Sequence, residues 1–129
     1  MVRLLVMKTI LLVEDEVDIR EALAEALTYE NYQVLTATNG QEGLAAALEH
    51  HPDLILLDIR MPIMTGPEML DRLRMDAWGK DAAVVMLTAM DDTNSIASTH
   101  ASGISDYIIK AHHSLDEIMR KVRESLHAG

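Results

Sequence analysis

The sequence predicts one α/β domain in which helices cover both faces of a parallel sheet. Short apolar runs alternate with amphipathic helical patterns five times along the 129 residues. The apolar runs are nearly continuous, which is typical of strands buried on both faces of a parallel sheet. A chain of this length can bury a single core, and right-handed crossovers between the strands then produce an open sandwich.

The five predicted strands are the apolar runs that open these units. Three of them have clear ends, at residues 9–13, 33–37 and 106–109. The third strand of the chain is predicted over residues 53–57, and the fourth over residues 82–87. Runs this short and this apolar favour strands in the interior of a sheet over isolated helices.

The first three predicted helices each have one apolar face. The second has a start signal, Asn39 followed three residues later by Glu42, because such a pair can bond the free N–H groups of a first helical turn. The third opens at Gly66 and Pro67, where proline suits the first turn. The predicted core-facing residues of the three helices are Ile19, Leu23, Ala26, Leu27, Leu44, Ala47, Leu48, Met69, Leu70 and Leu73.

The last two predicted helices differ in quality. Residues 91–102 are rich in serine, threonine and asparagine, whose side chains compete for backbone hydrogen bonds. We therefore predict a short helix there, ending at Gly103, that is mobile or partly frayed. The C-terminal helix has a capping box, Ser114 with Glu117. Its predicted core face consists of Leu115, Ile118, Met119, Val122 and Leu126.

Composition and charge restrict the classes of partner. The formal net charge of −10 disfavours nucleic acid and anionic membrane, which need a basic surface. The absence of cysteine excludes disulfides, thiolate metal sites and cysteine nucleophiles. Residues 1–7 lack a cleavage-site pattern and are expected to be an extension leading into the first strand. No apolar run approaches the length of a membrane span, so we expect a soluble, cytoplasmic protein.

Charged and polar side chains follow the predicted strands at the edge where such sheets bind ligands. Glu14 and Asp15 follow the first strand, Asp58 the third, Thr88 the fourth and Lys110 the fifth. Carboxylates that crowd together repel, and a hard divalent cation such as Mg²⁺ would relieve that repulsion. The lysine and the threonine can bind an anion. The set therefore suits phosphoryl transfer to a carboxylate nucleophile.

At these positions the chain resembles the receiver domains of two-component response regulators. The residues that carry the resemblance are Glu14 and Asp15 in LLVEDE, Asp58 in LILLDIRMP, Thr88 and Ala89 in LTA, and Tyr107 and Lys110 in DYIIK. The resemblance covers residues 8–127 and implies a flavodoxin-like, doubly wound (βα)5 sheet with strand order 2-1-3-4-5. We expect no output domain within the chain.

The resemblance also implies a phosphorylation-activated switch in a phosphorelay. Asp58 would accept a phosphoryl group from a histidine kinase or a histidine phosphotransfer protein. Asp15, Asp58 and the backbone carbonyl of Arg60 would bind Mg²⁺, and Glu14 would act through water. The protein would catalyse only its own phosphorylation and dephosphorylation, so it would not be an enzyme with an external substrate.

The same resemblance implies how the phosphoryl group would be bound and sensed. Lys110, the Thr88 hydroxyl and the backbone N–H of Ala89 would bind its oxygens. Tyr107 would move inward as Thr88 turns, which would change the surface formed by residues 91–102, the fifth strand and the C-terminal helix. An output partner, or a second copy of the chain, could bind this surface.

One departure from the family leaves alternatives open. The family usually has a proline after the lysine, preceded by a cis bond, and here Ala111 stands there. A cis bond without proline costs about 3 kcal/mol, so we predict either a trans bond with a reshaped loop or a strained cis bond. A receiver-like interaction or dimerisation module without phosphate turnover is the main alternative. A Mg²⁺-dependent phosphatase would want a second acid at Arg60.

Overall fold

A five-stranded parallel sheet forms the centre of the molecule. The computed structural model describes residues 7–89, 103–111 and 113–127. The strands are β1 (Thr9–Val13), β2 (Gln33–Ala37), β3 (Leu54–Asp58), β4 (Val84–Thr88) and β5 (Asp106–Ile109). Their order in the sheet is β2-β1-β3-β4-β5, and every neighbouring pair is parallel. The predicted fold class and strand order are confirmed.

Helices cover the sheet on both sides. The helices in the described residues are α1 (Val17–Tyr29), α2 (Gly40–His50), α3 (Gly66–Arg74) and the C-terminal helix (Leu115–His127), with a short 3₁₀ turn at Gly79–Asp81. None of them is long and apolar enough to cross a membrane. The predicted helix over residues 91–102 and nearly all of the predicted N-terminal extension lie outside the described residues.

Two apolar cores result from the alternation of strand side chains between the two faces of the sheet. Residues of α2 and α3 pack against one face, and residues of α1 and the C-terminal helix pack against the other. All five residues of β3 are buried, including the last one, Asp58. The central strand therefore holds this acid rigidly at the edge of both cores.

Two predicted core residues are on the surface instead. Leu48 is 38% exposed and Leu115 is 47% exposed. On α2, Gly43 is the residue that packs closest against the core, because a side chain there would collide with Val13 and Met69. Leu48 lies at the margin of the buried helix face. Leu115 is the first residue of its helix and lies beside a groove rather than beneath α1.

Three of the helices start with a side-chain cap, whereas α1, which starts after Glu16, has none. The Asn39 Oδ1 atom accepts a hydrogen bond from the Glu42 N–H at 2.9 Å, as predicted. The predicted capping box also forms, with the Ser114 Oγ 3.2 Å from the Glu117 N–H donor. Thr65 caps α3 by accepting from the Glu68 N–H at 3.3 Å, a cap that was not predicted. These caps allow short loops between the strands and the helices.

Two strand boundaries differ from the prediction in a way that concerns the site. β3 and β4 each end one residue later than predicted, so Asp58 and Thr88 are the last residues of their strands, and β3 also starts one residue later, at Leu54. The parallel ladder continues there, with the Ile59 N–H donating to the Leu87 carbonyl at 3.1 Å and the Lys110 N–H to the Thr88 carbonyl at 2.9 Å. Hydrogen bonding thus fixes the backbone of both polar residues.

Candidate functional site

Three carboxylates meet at the carboxyl edge of the sheet. Oxygen atoms of Glu14, Asp15 and Asp58 all lie within 4.8 Å of one another. They meet because β1 and β3 are neighbours, with Val13 opposite Leu57, so that the residues after Val13 lie beside Asp58. Glu14 and Asp58 are only 0% and 4% exposed, whereas Asp15 is exposed. The cluster is therefore buried on one side and open on the other.

Lys110 supplies a cation to the two buried carboxylates. Its Nζ atom is 3.0 Å from the Glu14 Oε1 and 3.2 Å from the Asp58 Oδ1. Its backbone follows β5 and is bonded to the end of β4, and its side chain is only 19% exposed. One lysine thus faces two carboxylates in a setting that water screens poorly.

The protonation of Asp58 reflects this crowding. Burial raises the pKa of the Asp58 carboxyl to about 7, with further contributions from a hydrogen bond to Glu14 and from its charge, while Lys110 opposes the shift. Burial acts against the charge of Lys110, but Asp58 and Glu14 outweigh it, and the pKa of the lysine is raised. The site is short of positive charge even with Lys110 in place.

The donor set fits a hard divalent cation. Mg²⁺ prefers carboxylate and carbonyl oxygens and keeps several waters, and the exposed side of Asp15 leaves room for them. Three carboxylates and one lysine carry a formal charge of −2 when ionised, which such an ion balances. Arg60, whose backbone carbonyl was predicted as a ligand, is exposed two residues after Asp58.

The predicted phosphate-binding and switch residues lie on the neighbouring strands. Thr88 is buried at the end of β4, and its hydroxyl donates to the carbonyl of Ala89 at 2.9 Å. Tyr107 lies opposite Met86 in the β4–β5 ladder and is half-buried. Its ring centroid is 5.8 Å from the Nζ atom of Lys121. Thr88 therefore borders the carboxylate cluster, while Tyr107 sits further back along β5.

The loop after Asp58 returns closely to that residue. The Gly66 N–H donates to the Ile59 carbonyl at 2.9 Å, and a Cβ atom on Gly66 would overlap the backbone carbonyl oxygen of Asp58. Ile63 has a φ of 71°, and it forms the centre of a tight turn closed by the Met64 N–H and the Pro62 carbonyl at 2.7 Å. In the sequence Gly66 indicates only a helix start, and nothing in the pattern predicts this contact.

Arg20 is a second residue whose place at the site was not predicted from the sequence. Its Nη1 atom donates to the carbonyl of Glu14 at 2.9 Å and to the carbonyl of Asp15 at 3.2 Å. In the sequence it is one of several charged residues of an amphipathic helix. Nothing in that pattern shows that its side chain turns back toward the preceding loop.

The bond between Lys110 and Ala111 is trans, the first of the two predicted alternatives. The chain after it turns at once, because the His113 N–H donates to the Ile109 carbonyl at 3.1 Å. Lys110 nevertheless reaches both buried carboxylates. A proline is therefore unnecessary for placing this lysine.

The fold and the site together define a class of signalling protein. A sheet of order 2-1-3-4-5 with clustered carboxylates and a lysine at its carboxyl edge is the arrangement that the sequence resemblance implied. The model of the response regulator receiver domain family matches residues 10–123. The chain belongs to this family, whose general kind of function is a phosphorylation switch in two-component signalling.

Individual relatives agree with this assignment. The response regulator ArlR of Staphylococcus aureus is 36% identical over 120 residues, which are 93% of this chain and 53% of ArlR. The chain thus spans about half the length of the curated relatives it matches. The chemotaxis response regulator CheY4 of Vibrio cholerae superposes with a TM-score of 0.86 at 28% identity, covering 93% of this chain and 99% of CheY4.

A third relative shares the fold. The receiver domain of the sensor histidine kinase PA1611 from Pseudomonas aeruginosa superposes with a TM-score of 0.85 at 24% identity, over 94% of this chain and 98% of that domain. Its structure has a magnesium ion coordinated in the active-site cleft.

Proposed function

We propose that this protein is a phosphorylation-activated switch of a two-component phosphorelay, with Asp58 as the phosphoryl acceptor. The observation that carries the proposal is the position of Asp58. It is buried at the end of the central strand, within 4.8 Å of two further carboxylates and 3.2 Å from the Lys110 Nζ. An acid without a function is not expected at such a position, because burial of its charge costs free energy.

In the proposed transfer, a carboxylate oxygen of Asp58 attacks the phosphorus of a phosphohistidine on a histidine kinase or phosphotransfer protein. The P–N bond breaks, its electron pair stays on the imidazole, and an acyl phosphate forms on Asp58. Lys110 would turn one of its donors from the carboxylates to a phosphoryl oxygen. Thr88 would exchange its bond to the Ala89 carbonyl for the phosphoryl group, and the Ala89 N–H would donate as well.

Asp15, Asp58 and the backbone carbonyl of Arg60 would hold Mg²⁺, and Glu14 would act through water. When bound, the ion would neutralise charge on the transferring group, which is the main requirement of phosphoryl transfer. Glu14 is already held by the Lys110 Nζ and by the Glu16 N–H, the latter at 3.2 Å from its Oε2. It is therefore placed to bond a water of the ion.

The output would depend on Tyr107. Inward movement of its ring as Thr88 turns would alter the face of β5 and the C-terminal helix, to which an output partner or a second copy would bind. Residues 8–127 would form the receiver domain. The protein would catalyse only its own phosphorylation and dephosphorylation. It would be located in the cytoplasm.

A second candidate is an interaction or dimerisation module of the same fold that does not turn over phosphate. The observation that favours it is Ala111, with its trans bond, at the place where the family usually has a proline. The carboxylate cluster would then serve only to bind a cation. The two candidates differ in whether Asp58 is ever modified.

Incubation with acetyl phosphate or phosphoramidate, with and without Mg²⁺, separates the candidates. Intact-mass spectrometry should show a gain of one phosphoryl group that needs Mg²⁺ and is lost in Asp58→Asn. Asp116→Asn is the matched control, since Asp116 is an exposed acid in the first turn of the C-terminal helix. An unmodified wild-type protein, or an Asp58→Asn variant that gains the same mass, would contradict the proposal.

A further inference from the structure

Arg20 lies in α1 and reaches back to the loop that carries two of the three carboxylates. Its Nη1 atom bonds the carbonyl oxygens of Glu14 and Asp15 at 2.9 and 3.2 Å. Its own backbone N–H donates to the Glu16 carbonyl at 2.9 Å, so the start of the helix holds the arginine in place. One half-buried side chain thus fixes two consecutive peptide groups just after β1.

The two carboxylates of this loop differ in how they are oriented. The Glu14 carboxylate accepts bonds from the Lys110 Nζ and from the Glu16 N–H. Among the residues that the structure describes, none donates a hydrogen bond to the Asp15 carboxylate. The direction of the Asp15 side chain therefore depends on its backbone, and the Arg20 guanidinium holds the carbonyl of that residue.

We propose that Arg20 is a positioning residue for cation binding: it fixes the backbone of Glu14 and Asp15 so that the Asp15 carboxylate faces Asp58. Arg20 contacts the carbonyls and has no role as a ligand. The inference rests on the proposed function in taking Mg²⁺ as the ion. Groups that orient metal ligands in this way typically contribute a factor of about 10 to 100 to metal affinity.

The charge of Arg20 and its hydrogen bonds act on Mg²⁺ affinity in opposite directions. A guanidinium near the cluster repels a cation, so the loss of its charge alone would tighten Mg²⁺ binding. The loss of the two carbonyl bonds would free the Asp15 backbone and weaken Mg²⁺ binding. The sign of the change in affinity therefore distinguishes positioning from a plain electrostatic role.

Calorimetric titration of MgCl₂ into the full chain, without a phosphoryl donor, tests the inference. We expect Arg20→Ala to bind Mg²⁺ roughly tenfold more weakly than the wild type. Arg20→Lys keeps a charged donor and should recover part of the loss. Arg120→Ala is the matched control, because this arginine is exposed and its ion pair with Glu124 is long, at 3.9 Å, and this variant should bind Mg²⁺ like the wild type. Thermal unfolding of each variant verifies that it is folded.

A second readout follows the same ion during phosphorylation by phosphoramidate. The Mg²⁺ concentration that gives half the maximal rate should rise in Arg20→Ala by the same factor as the calorimetric dissociation constant. If Arg20→Ala fails to fold, Arg20→Met, which keeps the aliphatic length of the side chain but has no hydrogen-bond donor, replaces it in both measurements.

Mg²⁺ binding that is unchanged or tighter without the arginine would overturn the role of Arg20 and leave the proposed function intact. A wild-type protein that shows no Mg²⁺ binding would instead overturn the cation site of the proposed function. The two failures are therefore distinguishable.

Discussion

At the scale of single residues, the main feature is a carboxyl group that the fold makes difficult to ionise. Asp58 is buried beside Glu14, with one lysine between them. Burial of the Asp58 carboxylate is costly in the protein without Mg²⁺, so replacing Asp58 should raise the free energy of unfolding. Replacement of a buried residue usually lowers it.

The pH dependence of stability provides a test of this reasoning. The pKa of Asp58 is about 7 in the folded protein, above its value of 3.8 in an unperturbed chain. Between these two pH values the folded state binds more protons than the unfolded state, so stability falls as the pH rises. In Mg²⁺-free buffer we expect Asp58 to contribute a loss of roughly 2–4 kcal/mol from pH 4 to pH 7, seen as the difference between the wild type and Asp58→Asn.

Urea denaturation across this range, with EDTA present, measures the slope. Asp58→Asn should show a much flatter profile and should be more stable than the wild type at neutral pH. An equally steep loss of stability in Asp58→Asn would show that the burial of this carboxyl is not the cause.

Gly66 gives a second prediction at the same scale. A methyl group there would overlap the Asp58 carbonyl oxygen, so Gly66→Ala must displace either Asp58 or the start of α3. We expect a loss of about 1–3 kcal/mol in urea denaturation, as for overpacking elsewhere in proteins. Gly103→Ala is the control, because its methyl group would meet nothing within 4 Å, although its φ of 79° adds a conformational cost. A loss below about 1 kcal/mol for Gly66→Ala would contradict the prediction.

At the scale of elements, side chains at the helix starts determine how the chain leaves the carboxyl edge. The Ser114 Oγ accepts from the Glu117 N–H, and the Glu117 Oε1 accepts from the Ser114 N–H at 3.2 Å. This box starts the C-terminal helix at Leu115, five residues after Lys110, so it limits how far the lysine loop can move.

Loss of this cap should therefore be measurable. Ser114→Ala removes the hydroxyl and should lower the free energy of unfolding by about 1 kcal/mol, while Ser114→Thr, which keeps a hydroxyl, should lose much less. Chemical denaturation of the three proteins under one set of conditions gives the comparison. Equal stability of the alanine and threonine variants would mean that the cap contributes nothing.

The sequence predicted the elements best where a single cause determines them. Strands β1, β2 and β5 have the predicted bounds, because polar residues or helix caps end each apolar run. The predicted start of β4 was wrong, because Ala82 and Ala83 continue the apolar run but connect the 3₁₀ turn to the strand. The predicted burial of Leu48 and Leu115 was wrong, because helical periodicity shows which residues share a face and not which neighbours cover that face.

At the scale of the whole molecule, topology gathers residues that are far apart in the chain. Glu14, Asp58 and Lys110 come from three different strand ends, and the rule for parallel sheets predicted that they would meet. The contacts of Arg20 and Gly66 were missed, because both bind backbone atoms, which carry no sequence signal. These contacts can be identified only when the path of the loops in the folded protein is known.

The most direct test of the central claim identifies the modified atom. Borohydride reduces an acyl phosphate on aspartate to the alcohol, which converts that residue to homoserine. After treatment with phosphoramidate and Mg²⁺, peptide mapping by mass spectrometry should find homoserine at Asp58, and not in samples that lacked the donor or the ion. Homoserine at another aspartate, or none at any position in a folded protein that binds Mg²⁺, would contradict a phosphoryl switch at Asp58.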